Sequence, residues 1–497
     1  MIRATLLERG LVVDGSGDAP AQADVLLQGD RIAAVGPGLH AQIGQWPAGL
    51  SLTEVERVDC SGMVVAPGFI DVHTHDDAIV LEAPQMTPKL SQGVTTVVTG
   101  NCGLSVAPLV LAEPSGALTL LGRHFRYPSV AAYAQAVGQA RPAVNVAPLV
   151  GHTTLRTACM DDLARPASAE QLEAMCALLD GCLRDGAIGL SSGLFYAEAM
   201  PAPAAEVTAL ARVVARHQGV YATHLRSEMA DILDAMHEAS DSAFEAGVPL
   251  VISHHKCAGP ANWGRTIETL ALIERLTERQ PIALDVYPYT AGSTVLREDL
   301  VDGVIDVLIS WSAPHPEVTG RLLASIAEEW GVTQREACRR LMPGGACYFQ
   351  IREDDMRRVL AHSRSMVGSD GLPHDRHPHP RLWGTFPRVL GHYCRDEQLF
   401  SLPEAVRKMT GLAARNFRLP ERGHLRAGWF ADVVVFDAAR VRDLATYDEP
   451  LRRSEGIERV FVNGRLSYLA EGSGETDRAG RVLLRTGKET VRRESAT

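Results

Sequence analysis

Lysine is nearly missing from this chain of 497 residues: only Lys89, Lys256, Lys408 and Lys488 occur, and arginine carries the rest of the positive charge. That scarcity limits where a catalytic or metal-bridging lysine can sit. Positive charge is also short overall. A net charge of −11 excludes a nucleic-acid binder with a broad basic face. No run approaches the ~18 apolar residues of a membrane helix. The start, Met1-Ile-Arg-Ala-Thr-Leu-Leu-Glu-Arg, lacks an apolar stretch behind a basic segment, so neither a signal peptide nor a membrane partner is expected. The nine cysteines form no CxxC pair and no repeated spacing, which suits free thiols in a reducing cytoplasm. What is plentiful is apolar residues, at 46%, enough for a large core and too many for wholesale disorder.

Residues 1–60 read as short strands and turns, including a hairpin over 23–36 with Gly29-Asp30 at its bend. Two C-terminal stretches, 424–437 and 459–466, have the same character. The segments 1–60 and 416–482 are therefore expected to build one small β-sandwich domain from both termini. Between them, 61–415 alternates apolar β-branched runs with helix-like stretches. Eight runs end in polar residues. They are Val64–Ile70 before His73 and His75, Thr95–Val98 before Cys102, Val144–Val150 before His152, and Ala187–Leu190 before Ser191. Then follow Val220–Thr223 before His224, Pro249–Ile252 before His254, Ile282–Val286 before Tyr287, and Met366–Val367 before Asp370.

Short apolar strands separated by helices indicate a parallel sheet covered on both faces. Eight of them predict an α/β fold, a (β/α)₈ TIM-type barrel, whose active-site face lies at the C-terminal ends of the strands. An open doubly wound sheet is the competing architecture, but potential ligands recur around the whole circuit. Residues 291–350 are too long for a plain connection and read as an insertion near the barrel mouth, a lid. The polar tail 483–497 is expected to be mobile.

His73-Thr-His75 comes first among the chemical signals. Side chains at i and i+2 of a strand share a side, so both imidazoles can aim at one point. Cys102 lies between glycines in Gly100-Asn-Cys-Gly103. A nucleophile, a metal ligand and a spectator thiol all fit there; the histidines on neighbouring strands favour a ligand, since Zn²⁺ accepts thiolate with imidazole. His224 ends one strand and His254-His255 another. Adjacent strand residues face opposite ways, so one of the pair points inward, and His254 is the choice. His152 suits a structural place as well as a ligand's. Asp370 can serve as a proton acceptor and donor beside a metal-activated water, or simply cap a turn.

This constellation resembles the amidohydrolase superfamily over nearly the whole chain: His-x-His after strand one, histidines after strands five and six, Asp after strand eight, and a flanking β domain. Many relatives bridge two metals with a carboxylated lysine after strand four. Here 144–223 contains no lysine, and Cys102 is the obvious substitute. The segments Gly68–Asp77, Gly100–Gly103, Gly151–Arg156, Ser253–Gly259, Asp285–Tyr289 and Gly368–Pro373 are similar to N-acyl-D-amino-acid deacylases (D-aminoacylases). That resemblance implies a tight zinc on Cys102, His224 and His254, a weaker second site at His73 and His75, and Asp370 as general base and acid. It further implies Lys256, Tyr287, Ser293 and Arg381 as partners of the substrate's α-carboxylate. A planar guanidinium grips a carboxylate in two places; ordinary surface charge is the other reading of Lys256 and Arg381.

The implied reaction cleaves a small molecule, an N-acyl-D-amino acid, to a carboxylate and a free D-amino acid. Arg297 could pair with an acidic D side chain or point to solvent beside Glu298 and Asp299; the surrounding Ala-Gly-Ser-Thr leans toward apolar substrates. The alternatives are a D-Glu- or D-Asp-specific deacylase, a hydantoinase- or dihydroorotase-like enzyme opening cyclic amides, and a non-enzymatic scaffold. The missing lysine argues against the ring-opener, and the retained ligands against the scaffold.

Overall fold

A computed structural model describes residues 4–45, 54–470 and 476–485. Its centre is a ring of eight parallel strands: β1 (Phe69–Asp71), β2 (Val94–Thr99), β3 (Asn145–Gly151), β4 (Gly189–Gly193), β5 (Val220–His224), β6 (Leu250–Ile252), β7 (Ile282–Val286) and β8 (Ser365–Val367). Each pairs in parallel with the next in sequence. Helices such as Ala169–Arg184, Ala204–Arg216, Ile232–Ala246 and Thr266–Thr277 return the chain along the outside. Ile70, Val98, Leu149, Ile188, Val220, Ala222, Val251, Ala283 and Met366 fill the ring's interior, and Leu412, Ala413 and Phe417 close its base. The barrel is a packed core, with chemistry confined to its mouth.

The first apolar run, Val64–Ile70, is two strands and not one. Val64–Pro67 pairs with Val433–Phe436 and Ala4–Val12 in the small sheet, and β1 begins only at Phe69. The break is at Gly68, where a Cβ would stand 2.2 Å from Cγ2 of Thr95. Only glycine lets the chain cross from one sheet to the other against β2. The small sheet thus extends to Pro67, past the boundary expected at residue 60. Its eight strands form one hydrogen-bonded sheet. The sheet curls until the 29–30 turn meets Gly464, enclosing Leu7, Val25, Leu27, Val65, Val433 and Phe461.

Between β7 and β8 the chain forms a three-stranded antiparallel sheet, Gly292–Val295, Gly344–Tyr348 and Val307–Ser312 in spatial order. Helices Leu323–Trp330 and Gln334–Leu341 cover it, with an apolar cluster of its own around Leu296, Ile309, Ile326 and Leu341. Of the expected tail, 483–485 lie against the barrel: Leu483 N donates to Val146 O at 2.7 Å and Arg485 N to Gly186 O at 2.8 Å. Residues 486–497 lie outside the described residues. No helix among the described residues is long and apolar enough to cross a membrane.

Candidate active site

Five strands deliver polar side chains to one buried point at the mouth. Three of the residues involved adopt left-handed backbone: Cys102 (φ 54°), His254 (φ 34°) and Asp370 (φ 49°). Such conformations cost about 1–3 kcal/mol each and survive only where the surroundings enforce them. Around Cys102 the enforcement is visible. Gly100 has a φ of 77° and packs so closely that a Cβ there would stand 2.2 Å from Leu149 O. The chain therefore turns sharply off β2 and aims the thiol inward.

Two donor sets meet at that sulfur. Ligand atoms of Cys102, His224 and His254 lie within 4.8 Å of one another, as do those of His73, His75, Cys102 and Asp370. Cys102 Sγ is 3.4 Å from His254 Nε2 and 3.1 Å from His73 Nε2. His224 Nδ1 is 3.0 Å from His254 Nε2. Asp370 Oδ1 is 3.2 Å from His75 Nε2 and 3.5 Å from His73 Nε2. His255 turns away to Thr269 Oγ1 at 2.8 Å. His152 stands apart, its Nε2 2.8 Å from Glu206 Oε1.

Electrostatics concentrate negative charge on the sulfur. Burial opposes the thiolate, yet His73 and His254 draw the Cys102 pKa well below its ordinary value. Burial would also depress His73, but Cys102, Asp285 and Asp370 hold its pKa well above the usual range. Asp370 resists its burial because Arg381 and His73 keep it ionised. One thiolate, four imidazoles and a carboxylate converge within bonding range of common points. Nδ1 of His75 is buried with no hydrogen-bond partner among the described residues. This donor chemistry fits zinc, which takes sulfur, nitrogen and carboxylate oxygen together.

Two carboxylates that the sequence reading left unassigned orient the imidazoles. Asp285 Oδ1 lies 3.2 Å from His73 Nδ1 and accepts His254 N at 2.9 Å. Glu228 Oε1 lies 3.1 Å from His254 Nδ1 and accepts Lys256 Nζ at 2.6 Å. Such carboxylate–imidazole pairs fix the ring and its tautomer in metal sites. Glu228 lies four residues past His224 and Asp285 inside the apolar run Ile282–Val286, but only contact reveals whom they serve.

The residues expected to hold a substrate carboxylate lie beside Asp370. Arg381 is fully buried. Its Nη1 is 3.0 Å from Asp370 Oδ2, its Nη2 donates to Ser293 O at 3.1 Å, and its guanidinium lies 4.5 Å above the Tyr287 ring. Nε of Arg381 has no hydrogen-bond partner among the described residues. A buried donor without an acceptor is costly, and a bound anion would satisfy it. Behind Arg381, its backbone N donates to His379 Nδ1 at 3.0 Å, and His379 Nε2 lies 3.0 Å from both Ala291 O and Tyr447 Oη. Lys256 is engaged with Glu228. On the other side, Phe195 stacks on His224 at 4.9 Å between centroids. Arg297 lies 4.1 Å over the Phe195 ring and pairs with Asp299 at 2.6 Å.

Comparison with known proteins agrees with this geometry. A family model described as "Amidohydrolase family" matches residues 56–311 and 337–468. A D-aminoacylase of Alcaligenes xylosoxydans xylosoxydans is 49% identical over 483 residues, covering 97% of each chain. An N-acyl-D-aspartate deacylase of the same organism is 46% identical over 475 residues, 95% of this chain and 93% of that one. The crystal structure of N-acyl-D-glutamate deacylase from Bordetella bronchiseptica contains zinc and a phosphonate inhibitor that mimics the tetrahedral intermediate. It matches with a TM-score of 0.92 at 44% identity, covering 98% of this chain and 100% of that one.

Proposed function

Since the chain belongs to the amidohydrolase family, we propose that it is a zinc-dependent hydrolase of N-acyl-D-amino acids, releasing a carboxylate and a free D-amino acid. The observation that carries this reading is the Cys102 sulfur, shared by two donor sets beside a buried arginine whose Nε lacks an acceptor among the described residues. Cys102, His224 and His254 would hold a tight zinc, and His73 and His75 a weaker second one. When bound, zinc supplies Lewis acidity that polarises the amide carbonyl and acidifies water.

The chain's own residues do the rest. Arg381, Ser293, Tyr287 and Lys256 bind the α-carboxylate. A carboxylate taken up by Arg381 draws that charge away from Asp370 and makes Asp370 a stronger base. Asp370 accepts a proton from the attacking water and returns it to the departing amine. With carboxylate, amide and side chain each fixed, one hand of the α-carbon is selected. Phe195 supplies an apolar wall, and Asp299 neutralises Arg297, which supports a preference for apolar D side chains. The nine unpaired cysteines suit a reducing compartment, and we assign the protein to the cytoplasm.

A panel of N-acetyl-D-Leu, -D-Met, -D-Phe, -D-Glu and -D-Asp, run beside their L forms and a hydantoin, tests this. The D-Leu, D-Met and D-Phe derivatives should have the highest kcat/KM, and the L forms should be inert. Preference for D-Glu or D-Asp would show that Arg297 leaves Asp299 to bind substrate. Release of L-amino acids only, or hydrolysis confined to the cyclic amide, would overturn the deacylase reading.

A further inference from the structure

The barrel is sealed unevenly. Backbone ladders join β1 through β8 at seven junctions, but among the described residues none joins β8 to β1. There the backbone crosses through Asp370 N donating to His73 O at 2.8 Å and a lone bridge between Thr74 and Gly371. Side chains complete the closure. Oδ1 of Asp71, on β1, accepts the backbone N of Ser369 at 2.8 Å, as a strand carbonyl would. Its Oδ2 accepts Lys89 Nζ at 2.7 Å. Lys89 comes from outside both strands, on the short helix Thr87–Leu90. Its Nζ also donates to Ser369 Oγ at 2.9 Å and lies 3.3 Å from Asp76 Oδ2. Ser369 Oγ accepts Gly371 N at 3.2 Å.

Lys89, Asp71, Asp76 and Ser369 are each no more than 1% exposed. An ammonium so deeply buried persists only when paired and hydrogen-bonded. The donor set hangs from the two sides of this seam. His73 is two residues from Asp71, His75 is next to Asp76, and Asp370 is next to Ser369. The distance between β1 and β8 at this level is therefore the distance between the two histidines and the carboxylate.

We propose that Lys89 is a positioning residue: by bridging Asp71, Asp76 and Ser369 across the open seam it sets His73 and His75 against Asp370, and so sets how tightly that donor set holds zinc. The inference rests on the reading of the mouth as a zinc centre. It adds a lysine that touches neither metal nor substrate but ties together the strands that carry the donors.

Zinc titrated into the chelator-stripped full chain, in competition with a chromophoric chelator, tests it. Lys89→Met should weaken the second, weaker equivalent by about ten- to a hundredfold, the usual range for losing a partner that orients ligands, and leave the first equivalent unchanged. A purely structural lysine would lower Tm without that selectivity. Because Lys89→Met leaves two buried carboxylates unpaired and can prevent folding, Ser369→Ala is measured beside it; it removes one hydroxyl, keeps the Lys89–Asp71 pair, and should show the same selective loss to a smaller degree. Unchanged affinities in both variants, equal loss at both equivalents, or a wild-type chain that takes only one equivalent would overturn the proposal. The titration is blind to substrate, so failure of the deacylase reading appears separately, in the chirality of the products.

Discussion

Among single residues, Cys102 is the one that both candidate donor sets share, through its sulfur. Its left-handed backbone turns that sulfur into the site. Cys102→Ala should abolish tight zinc binding and turnover together, measured as zinc content after gel filtration and as kcat. Asp370→Asn keeps the shape of the side chain but removes its proton-accepting charge. It should retain the tight zinc while kcat falls by about two to four orders of magnitude. A zinc-loaded, fully active Cys102→Ala would remove the thiolate as a ligand, and a fully active Asp370→Asn would remove that carboxylate as the base. Both residues were legible as candidates because each follows an apolar run. Glu228 lies just past such a run and Asp285 inside one, yet nothing in a one-dimensional pattern tells a carboxylate that orients an imidazole from one that caps a turn.

Among the elements, the helix Leu402–Met409 raises a different electrostatic question. Lys408 is fully buried on it. Burial pushes its pKa down to about 8, against the pull of Glu404. Between that value and the ordinary 10.5, the unfolded chain holds a proton that the folded chain has lost. The unfolded state then binds more protons, so stability rises with pH across this window. Thermal melts from pH 7.5 to 9.5 should show Tm of the wild type climbing relative to Lys408→Met, whose slope should be flatter. Parallel slopes would mean that Lys408 keeps its charge when buried. The element scale is also where the periodicity of the sequence misled. Val64–Ile70 is uniformly apolar, and both sheets want apolar β-branched residues, so the run carries no mark of changing sheets. The signal was Gly68, and its meaning depends on Thr95 lying across it.

For the whole molecule, the candidate ligands are scattered from His73 to Asp370 and come from β1, β2, β5, β6 and β8. They meet only when the barrel closes, so zinc held by them would have no comparable site on the unfolded chain and would stabilise the fold. With free zinc at roughly a hundred times its Kd, the stabilisation is about 3 kcal/mol. Stripping the metal with a chelator should therefore lower Tm by a few degrees, and returning one equivalent of zinc should restore most of it. Calorimetry before stripping, after it and after reloading checks this; an unchanged Tm would mean that these side chains hold no metal.

The sequence by itself determined the barrel and the candidate donors. Strands buried on both faces must be apolar throughout, and the polar residue that ends each run must emerge at the same mouth. Local pattern and chain direction suffice for that. Only the tertiary structure decided how the candidate donors meet: that one sulfur lies within reach of both sets, that Glu228 and Asp285 pair with the rings, and that Lys89 lies in the seam. These are contacts between residues far apart in sequence, set by which strands become neighbours and by how the ring fails to pair where it closes.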